Sequence, residues 1–316
     1  MNKLVVVICG PTASGKTDVA SNLCAGIKGE IISADSRQVY RYLDTGTNKS
    51  GIYDSRKKLR FTEEGIPQHL TDLIDPDEVF SAGDFVREAG ALITSLKKAG
   101  RIPVITGGTG LYIKALVNGL APLPGKNDDI RAELNAELKK HGISYLSKKL
   151  KAVDPVSAEA NRSNPHRTIR ALEVYRLTGK PISYWHANTK KPDWDFVQFA
   201  PQWERKELYD CINERAGTML MNGMPEETKK LFELGYAEDC PGLGSLGYRH
   251  VCRYLDGGLS FAETKELIAL DTRHYAKRQL TWFRAVEGIS WLKTDKASFD
   301  PTEMAAGIHK NIKNML

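Results

Sequence analysis

Near the N-terminus, Gly10, Pro11, Thr12, Ala13, Ser14, Gly15, Lys16 and Thr17 have the types and spacing of a phosphate-binding loop, G-x-x-x-x-G-K-[ST]. In such a loop the backbone N–H groups and the N-terminus of the following helix converge on phosphate oxygens. Lys16 adds positive charge at the outer phosphates, and Thr17 offers a hydroxyl to Mg²⁺. The loop alone leaves the reaction open: it serves a kinase, an NTPase, or any enzyme that handles a diphosphate. A nucleotide hydrolase also carries an apolar strand ending in an acid that helps hold Mg²⁺. Here the strand candidate at 102–106 runs into Gly107, Gly108, Thr109 and Gly110, with no acid. The acid found at the end of a core strand is Asp35, after Glu30, Ile31, Ile32, Ser33 and Ala34. Strand carboxyl ends face the ligand crevice in open α/β sheets, so Asp35 is expected near the phosphate loop. There it could bind metal, act as a general base, or cap the next turn.

These residues need elements to hold them. Residues 3–9 form a β-branched run without alternation, which predicts a strand buried on both faces. Residues 14–25 read as a helix, 30–34 as a second strand, 82–99 as a helix ended by Gly100, and 102–106 as a third strand. The alternation predicts an α/β fold, a P-loop NTPase-like parallel sheet core. After Tyr112 the texture changes. Residues 121–126 are a Pro/Gly linker, 128–151 are helical and charged with a break near Gly142, and 165–178 form another helix. Residues 194–201 suit a returning strand. From 204 to 284 the chain is mostly helical, punctuated by Gly223, Gly235, Gly257 and Gly258. The expected organisation is a catalytic core of residues 1–120 and 200–316 with C-terminal helices, and a mainly helical insertion over 121–199.

Composition excludes several classes. Hydrophobic residues are 41% and charged residues 27% of the 316, ordinary for a soluble globular chain. No apolar stretch approaches the roughly 18 residues that suggest a membrane span, and the apolar run at 4–8 is too short for a signal-peptide core. Five scattered cysteines without a CxxC pair argue against a disulfide framework or a zinc site and fit a reducing cytoplasm. The net charge of +6 gathers at 139–151, 162–176 and 273–284. Such runs are solvated helix faces or a polyanion-binding surface.

With these residues in view, the chain resembles the tRNA dimethylallyltransferase family, the tRNA isopentenyltransferases. The similar segments are the phosphate loop, then Ile32 to Tyr40 (ISADSRQVY), Gly107 to Tyr112 (GGTGLY), Asn164-Pro165-His166-Arg167 through Val174, Gly247-Tyr248-Arg249, and Ala276 to Arg284 (AKRQLTWFR). They occur in family order over about the first 290 residues. Departures are the 42–50 loop, YLDTGTNKS where the family reads closer to GMDIGTAKP, and His250 where Gln or Glu is commoner. Paired Cys and His of a eukaryotic-type zinc finger are missing from the C-terminal part, so a bacterial-type enzyme is implied.

The resemblance implies transfer of a dimethylallyl group from dimethylallyl diphosphate to N6 of adenine 37, beside the tRNA anticodon, with diphosphate released. It makes Asp35 the general base and sets Thr109 by the bridging oxygen. Lys16, Arg215 and Mg²⁺ on Thr17 would stabilise the departing diphosphate. Asp35, Ser36, Arg37 and Gln38 would line a channel for the flipped adenine, with Gln38 suited to its edge. Arg131, His166, Arg167, Thr168, Ile169 and Arg170 match anticodon-loop contacts, and Lys277, Arg278, Arg284, Tyr248 and Arg249 are similar in role. Trp282 stacks on a base or packs in the core, while Leu280 and Phe283 are core. The partners implied are tRNA, through its anticodon stem-loop, and dimethylallyl diphosphate, with Mg²⁺ as cofactor, no membrane, and a monomeric enzyme. An adenylate prenyltransferase or a small-molecule kinase are the alternatives; the basic insertion and the 278–284 segment favour tRNA.

Overall fold

The computed structural model describes residues 2–161 and 164–316. Arg162, counted above in a basic stretch, lies outside the described residues. The strands are β1 (Leu4–Cys9), β2 (Gly29–Ser33), β3 (Ile52–Asp54), β4 (Leu59–Phe61), β5 (Pro67–His69), β6 (Ile102–Gly107), β7 (Asp195–Trp203) and β8 (Ile289–Thr294). They form one sheet in the order β3-β4-β5-β2-β6-β1-β7-β8. From β5 to β8 every pairing is parallel; β3 and β4 add an antiparallel edge. β1 lies between β6 and β7 and is buried at every residue, which is why its sequence is an unbroken apolar run.

The chain divides into two compact units. One comprises Met1–Leu116 with Asp193–Leu316, the other Val117–Pro192. The expected boundary at 199/200 is therefore corrected. Residues 195–199 belong to the sheet, because β7 pairs with β1 from Asp195 onward. The edge strands β3 and β4, and β8 beyond the long helical stretch, were not anticipated. β3 and β4 have three residues each, and β8, with six, is only partly buried, so no apolar run announces them.

In the sheet-bearing unit, α1 (Lys16–Ile27) follows the phosphate loop and α2 (Ala82–Lys98) opens on a Ser81/Asp84 capping box. α3 (Gly110–Asn118) leaves the end of β6. The Val117–Pro192 unit is built from α4 (Asp128–His141), α5 (Ile143–Val153), α6 (Pro155–Ala160), α7 (Pro165–Thr178) and α8 (Ile182–Ala187). Its core joins Leu134, Leu146, Leu150, Ile169, Leu172 and Val174. The C-terminal helices are α9 (Arg205–Met221), α10 (Met224–Glu233), α11 (Tyr248–Leu255), α12 (Phe261–Arg284) and α13 (Pro301–Ile312). α13 completes the apolar layer over α1 through Ala305, Ile308 and Ile312, while α9 to α12 build a second core with Val39, Tyr40 and Leu43.

One polar residue organises the helical unit. The Glu173 side chain is fully buried on α7. Its carboxylate accepts from Arg131 Nε (2.9 Å) and Nη2 (3.0 Å), Arg170 Nη1 (2.6 Å) and Asn127 N (2.8 Å). Burial raises its pKa, but these donors outweigh burial and hold it below the usual carboxylate range. Glu173 thus ties the start of α4 to α7. Replacing Glu173 with Ala leaves an amide and two guanidinium groups without their acceptor. Unfolding free energy should fall by about 2–3 kcal/mol in urea titration, and an unchanged midpoint would deny Glu173 this bracing role.

Candidate active site

The site begins with strand register. Ser33 pairs level with Thr106, and Cys9 with Gly107, so β2, β6 and β1 end together. Their three following loops, at 10–15, 34–38 and 107–110, leave the same edge of the sheet. Thr109 N donates to Ala34 O (3.1 Å), and Thr109 Oγ1 accepts from Ser36 N (3.0 Å). The second and third loops are thereby tied to each other. The Asp35 side chain fixes its own turn, with Oδ1 accepting from Arg37 N at 2.8 Å. Capping and placement beside the phosphate loop, two readings of Asp35 from sequence, both hold.

The phosphate loop is held from behind. Gly15 has φ 73°, a left-handed conformation natural to glycine, and a Cβ there would fall inside the Phe299 ring. Phe299 in turn packs on Trp203 (5.1 Å between centroids), whose Nε1 donates to Ser14 O (3.1 Å). α12 supplies the other support. Gln279, nearly buried, accepts from Thr12 N (2.8 Å) and donates to Gly108 O (2.9 Å). A side chain at Gly108 would collide with that amide. One glutamine thus stitches the first loop to the third across 267 and 171 residues of sequence.

The loops, α9, α10, α12 and residues 244–246 enclose a cavity of about 330 Å³. Thr12, Lys16, Thr17 and Arg215 line one part of it, Asp35, Ser36, Arg37 and Gln38 another. Ile212, Ala216, Met219, Met224 and Ile268 supply an apolar wall. Lys16 Nζ donates to Pro11 O (3.1 Å), and Arg215 Nη2 donates to Thr12 Oγ1. Arg215 thus stands at the phosphate loop, where the family resemblance set it. Burial lowers Lys16 to about 8 and Arg215 to about 10; Asp35 offsets part of both shifts, and Arg215 itself lowers Lys16 further. Two desolvated cations beside one loop make a strong anion site. Among the described residues no group of three His, Cys, Asp or Glu could enclose a metal. Thr17 and Asp35 on one cavity are a sparse oxygen set, which suits Mg²⁺ held mainly by phosphate oxygens and water.

Several sequence expectations for RNA contact need correction. Thr168 and Ile169 are buried in the helical core, so they cannot meet RNA. Arg131 and Arg170 spend their guanidinium groups on Glu173. Tyr248 is fully buried, its hydroxyl on Glu227 (2.5 Å), and cannot stack on a base. Gln38 accepts from Ser33 Oγ and donates to Thr47 O and Asn48 O, so its amide braces the protein and is not free for an adenine edge. His166, Arg167, Lys277, Arg278 and Arg284 are exposed, as is Arg249, which pairs with Asp271 (2.5 Å). Phe283 is core; Leu280 is partly buried, and half-buried Trp282 packs over Gly110.

Sequence reasoning missed Glu227, described below, and Tyr275. Tyr275 lines the cavity, and burial, with Asp35 near, pushes its phenol up to about 12. It therefore stays a hydrogen-bond donor at neutral pH. Its one sequence signal was a polar aromatic on the helix that carries Arg278 and Gln279.

The Lys16 shift sets a pH dependence. Below pH 8 the amine is charged and meets an anion directly; above it, binding requires proton uptake. The affinity for inorganic diphosphate should fall about tenfold per unit above pH 8, relative to a Lys16→Arg variant whose guanidinium keeps its proton. Calorimetry showing parallel pH profiles for both proteins would remove Lys16 from that role.

Residues 38–286 match the family model described as IPP transferase. The chain is 43% identical over 288 residues to a tRNA dimethylallyltransferase of Endomicrobium trichonymphae, covering 91% of this chain and 94% of that protein. It is likewise 43% identical over 299 residues to the tRNA dimethylallyltransferase of Geobacter sulfurreducens, covering 94% and 93%. Among solved structures, the full-length tRNA isopentenylpyrophosphate transferase of Bacillus halodurans is similar with a TM-score of 0.69 and 37% identity, over 100% of this chain and 97% of that one. A eukaryotic dimethylallyltransferase caught acting on tRNA gives a TM-score of 0.82 at 26% identity, over 99% and 79%. On sequence and structure together, the chain belongs to the IPP transferase family.

Proposed function

We propose that this protein transfers a dimethylallyl group from dimethylallyl diphosphate to N6 of adenine 37 in tRNA and releases diphosphate. The observation that carries this reading is a single cavity joining two desolvated cations, one carboxylate and an apolar wall. Phosphates suit the cations, the five-carbon chain suits the apolar wall, and the amine to be alkylated suits the carboxylate. The basic, exposed residues His166 and Arg167 at the start of α7, with Arg278 and Arg284 on α12, favour a polyanionic acceptor. The names of the bacterial relatives support tRNA as that acceptor.

The chemistry follows from the groups present. The N6 lone pair is delocalised into the adenine ring, so the amine is a weak nucleophile that needs a base and a held geometry. Asp35, fixed by its own turn, takes the N6 proton as nitrogen bonds to C1 of the allyl group. The C1–O bond breaks with its electron pair going to diphosphate. Lys16 and Arg215 hold the leaving group, and the family likeness sets Thr109, whose hydroxyl is tied to Ser36, by the bridging oxygen. Thr17 would hold Mg²⁺, which supplies further neutralisation of diphosphate charge. The target base is extruded from its stack to enter the cavity, at a cost of a few kcal/mol. The enzyme acts as a monomer in the cytoplasm.

Incubation with dimethylallyl diphosphate and either an unmodified anticodon stem-loop or AMP tests the acceptor. Prenylated RNA is the expected product, and alkylation of AMP alone would overturn the tRNA reading. Asp35→Asn keeps the turn to Arg37 N but removes the base. Turnover should fall roughly 10²- to 10⁴-fold, with diphosphate binding little changed, and a near-normal rate would take Asp35 out of proton transfer. Arg167→Ala should weaken RNA binding and flatten its salt dependence by about one phosphate contact. An unchanged slope in salt titrations would make Arg167 a solvated surface residue.

A further inference from the structure

Residues 44–48 wall the cavity beside Asp35 and Gln38, through Gly46, Thr47 and Asn48. This segment has no regular secondary structure. Its position comes from side chains elsewhere. The Glu227 carboxylate, on the first turn of α10, accepts from three successive backbone N–H groups: Asp44 (2.7 Å), Thr45 (2.8 Å) and Gly46 (3.2 Å). It also accepts from the buried Tyr248 hydroxyl (2.5 Å), at the start of α11. Gly46 lies so close to that phenol that a Cβ would strike it.

An acid in a first helical turn ordinarily faces its own helix N-terminus or solvent. Glu227 instead closes on a loop some 180 residues earlier in sequence. Three converging amides form an anion-binding nest, here filled by a side chain of the same protein. The segment's other end is held separately, by Gln38 Nε2 on Thr47 O (3.3 Å) and Asn48 O (3.2 Å). None of these bonds involves Lys16, Thr17 or Arg215, so the wall and the anion end are built independently.

We propose that Glu227, with Tyr248 bonded to it, is a positioning residue for the transfer. It fixes the 44–46 backbone and through it the wall against which the acceptor amine is held beside Asp35. The inference rests on the prenyl-transfer reading above. It assigns Glu227 a role in acceptor geometry without contact to the reacting atoms.

The test uses Glu227→Gln and Tyr248→Phe in the full chain. The glutamine keeps size but offers one acceptor and turns an NH₂ toward backbone donors. Amide exchange at 44–46 should accelerate in Glu227→Gln while β1 and β6 stay protected. Its kcat/KM with the stem-loop should fall about 10- to 100-fold, as misplacement near 1 Å allows, with the Kd for inorganic diphosphate within about twofold of wild type. Tyr248→Phe, which leaves the three amide bonds intact, should lose about three- to tenfold in kcat/KM. A Glu227→Gln protein with wild-type kcat/KM overturns the proposal, as does one that weakens diphosphate binding in proportion to transfer. Should Glu227→Gln fail to fold, unchanged kcat/KM in Tyr248→Phe overturns it equally. A wild-type enzyme that prenylates no RNA would instead strike at the functional reading.

Discussion

The register of the central parallel strands brings Ser33 level with Thr106 and Cys9 level with Gly107. Loops far apart in sequence therefore emerge side by side, and the cavity exists because they do. The buried apolar sequences of β1 and β6 make this register hard to shift, since both faces of the sheet are covered. Loops alone would still move. Gln279 binds the first loop to the third, and Thr109 binds the third to the second. The long helix α12 thus serves as a strut for residues that precede it by more than 150 positions.

Electrostatics separates this cavity from a generic nucleotide site. Lys16 and Arg215 sit where burial works against their charge, and the carboxylates of Asp35, foremost, and Asp18 partly compensate both. An entering diphosphate restores what desolvation removed, so binding is favoured by an unsatisfied field already in place. As diphosphate leaves carbon, its charge grows in the same field. The apolar side chains from α9, α10 and α12 give the neighbouring space a surface that suits hydrocarbon.

Polar residues far from the cations set the shape of the rest. Glu173 braces the helical unit from a fully buried position, and Glu227 performs a similar service for the 44–46 backbone. Lys49, buried, meets Asp44 (2.8 Å) and Asp72 (2.5 Å), with Arg60 closing the group. The 42–50 stretch departs from the family pattern in sequence, yet it is the most heavily anchored loop of the cavity. Each anchor is a side chain satisfying backbone or charge that burial would otherwise leave costly.

Local pattern determined a good deal. The phosphate loop, the buried strands at its flanks, the helix at 165–178 and the placement of Asp35 at a strand end are all legible from neighbouring residues. Their chemistry depends on spacing of a few positions. Family likeness supplied Thr109 and Arg215, which in the fold bond to Ser36 and Thr12. The tertiary structure decided which polar residues face the cavity and which face the protein. Arg131, Arg170, Gln38 and Tyr248 have the types suited to bind RNA, and each proves to be committed inward. Arg170 and Glu173 share one face of α7 and could be paired from spacing alone, but Arg131 meets Glu173, Gln38 meets Thr47 and Tyr248 meets Glu227 only when helices and loops pack. Hydrogen-bond capacity is written in the sequence; the folded chain settles where that capacity is used.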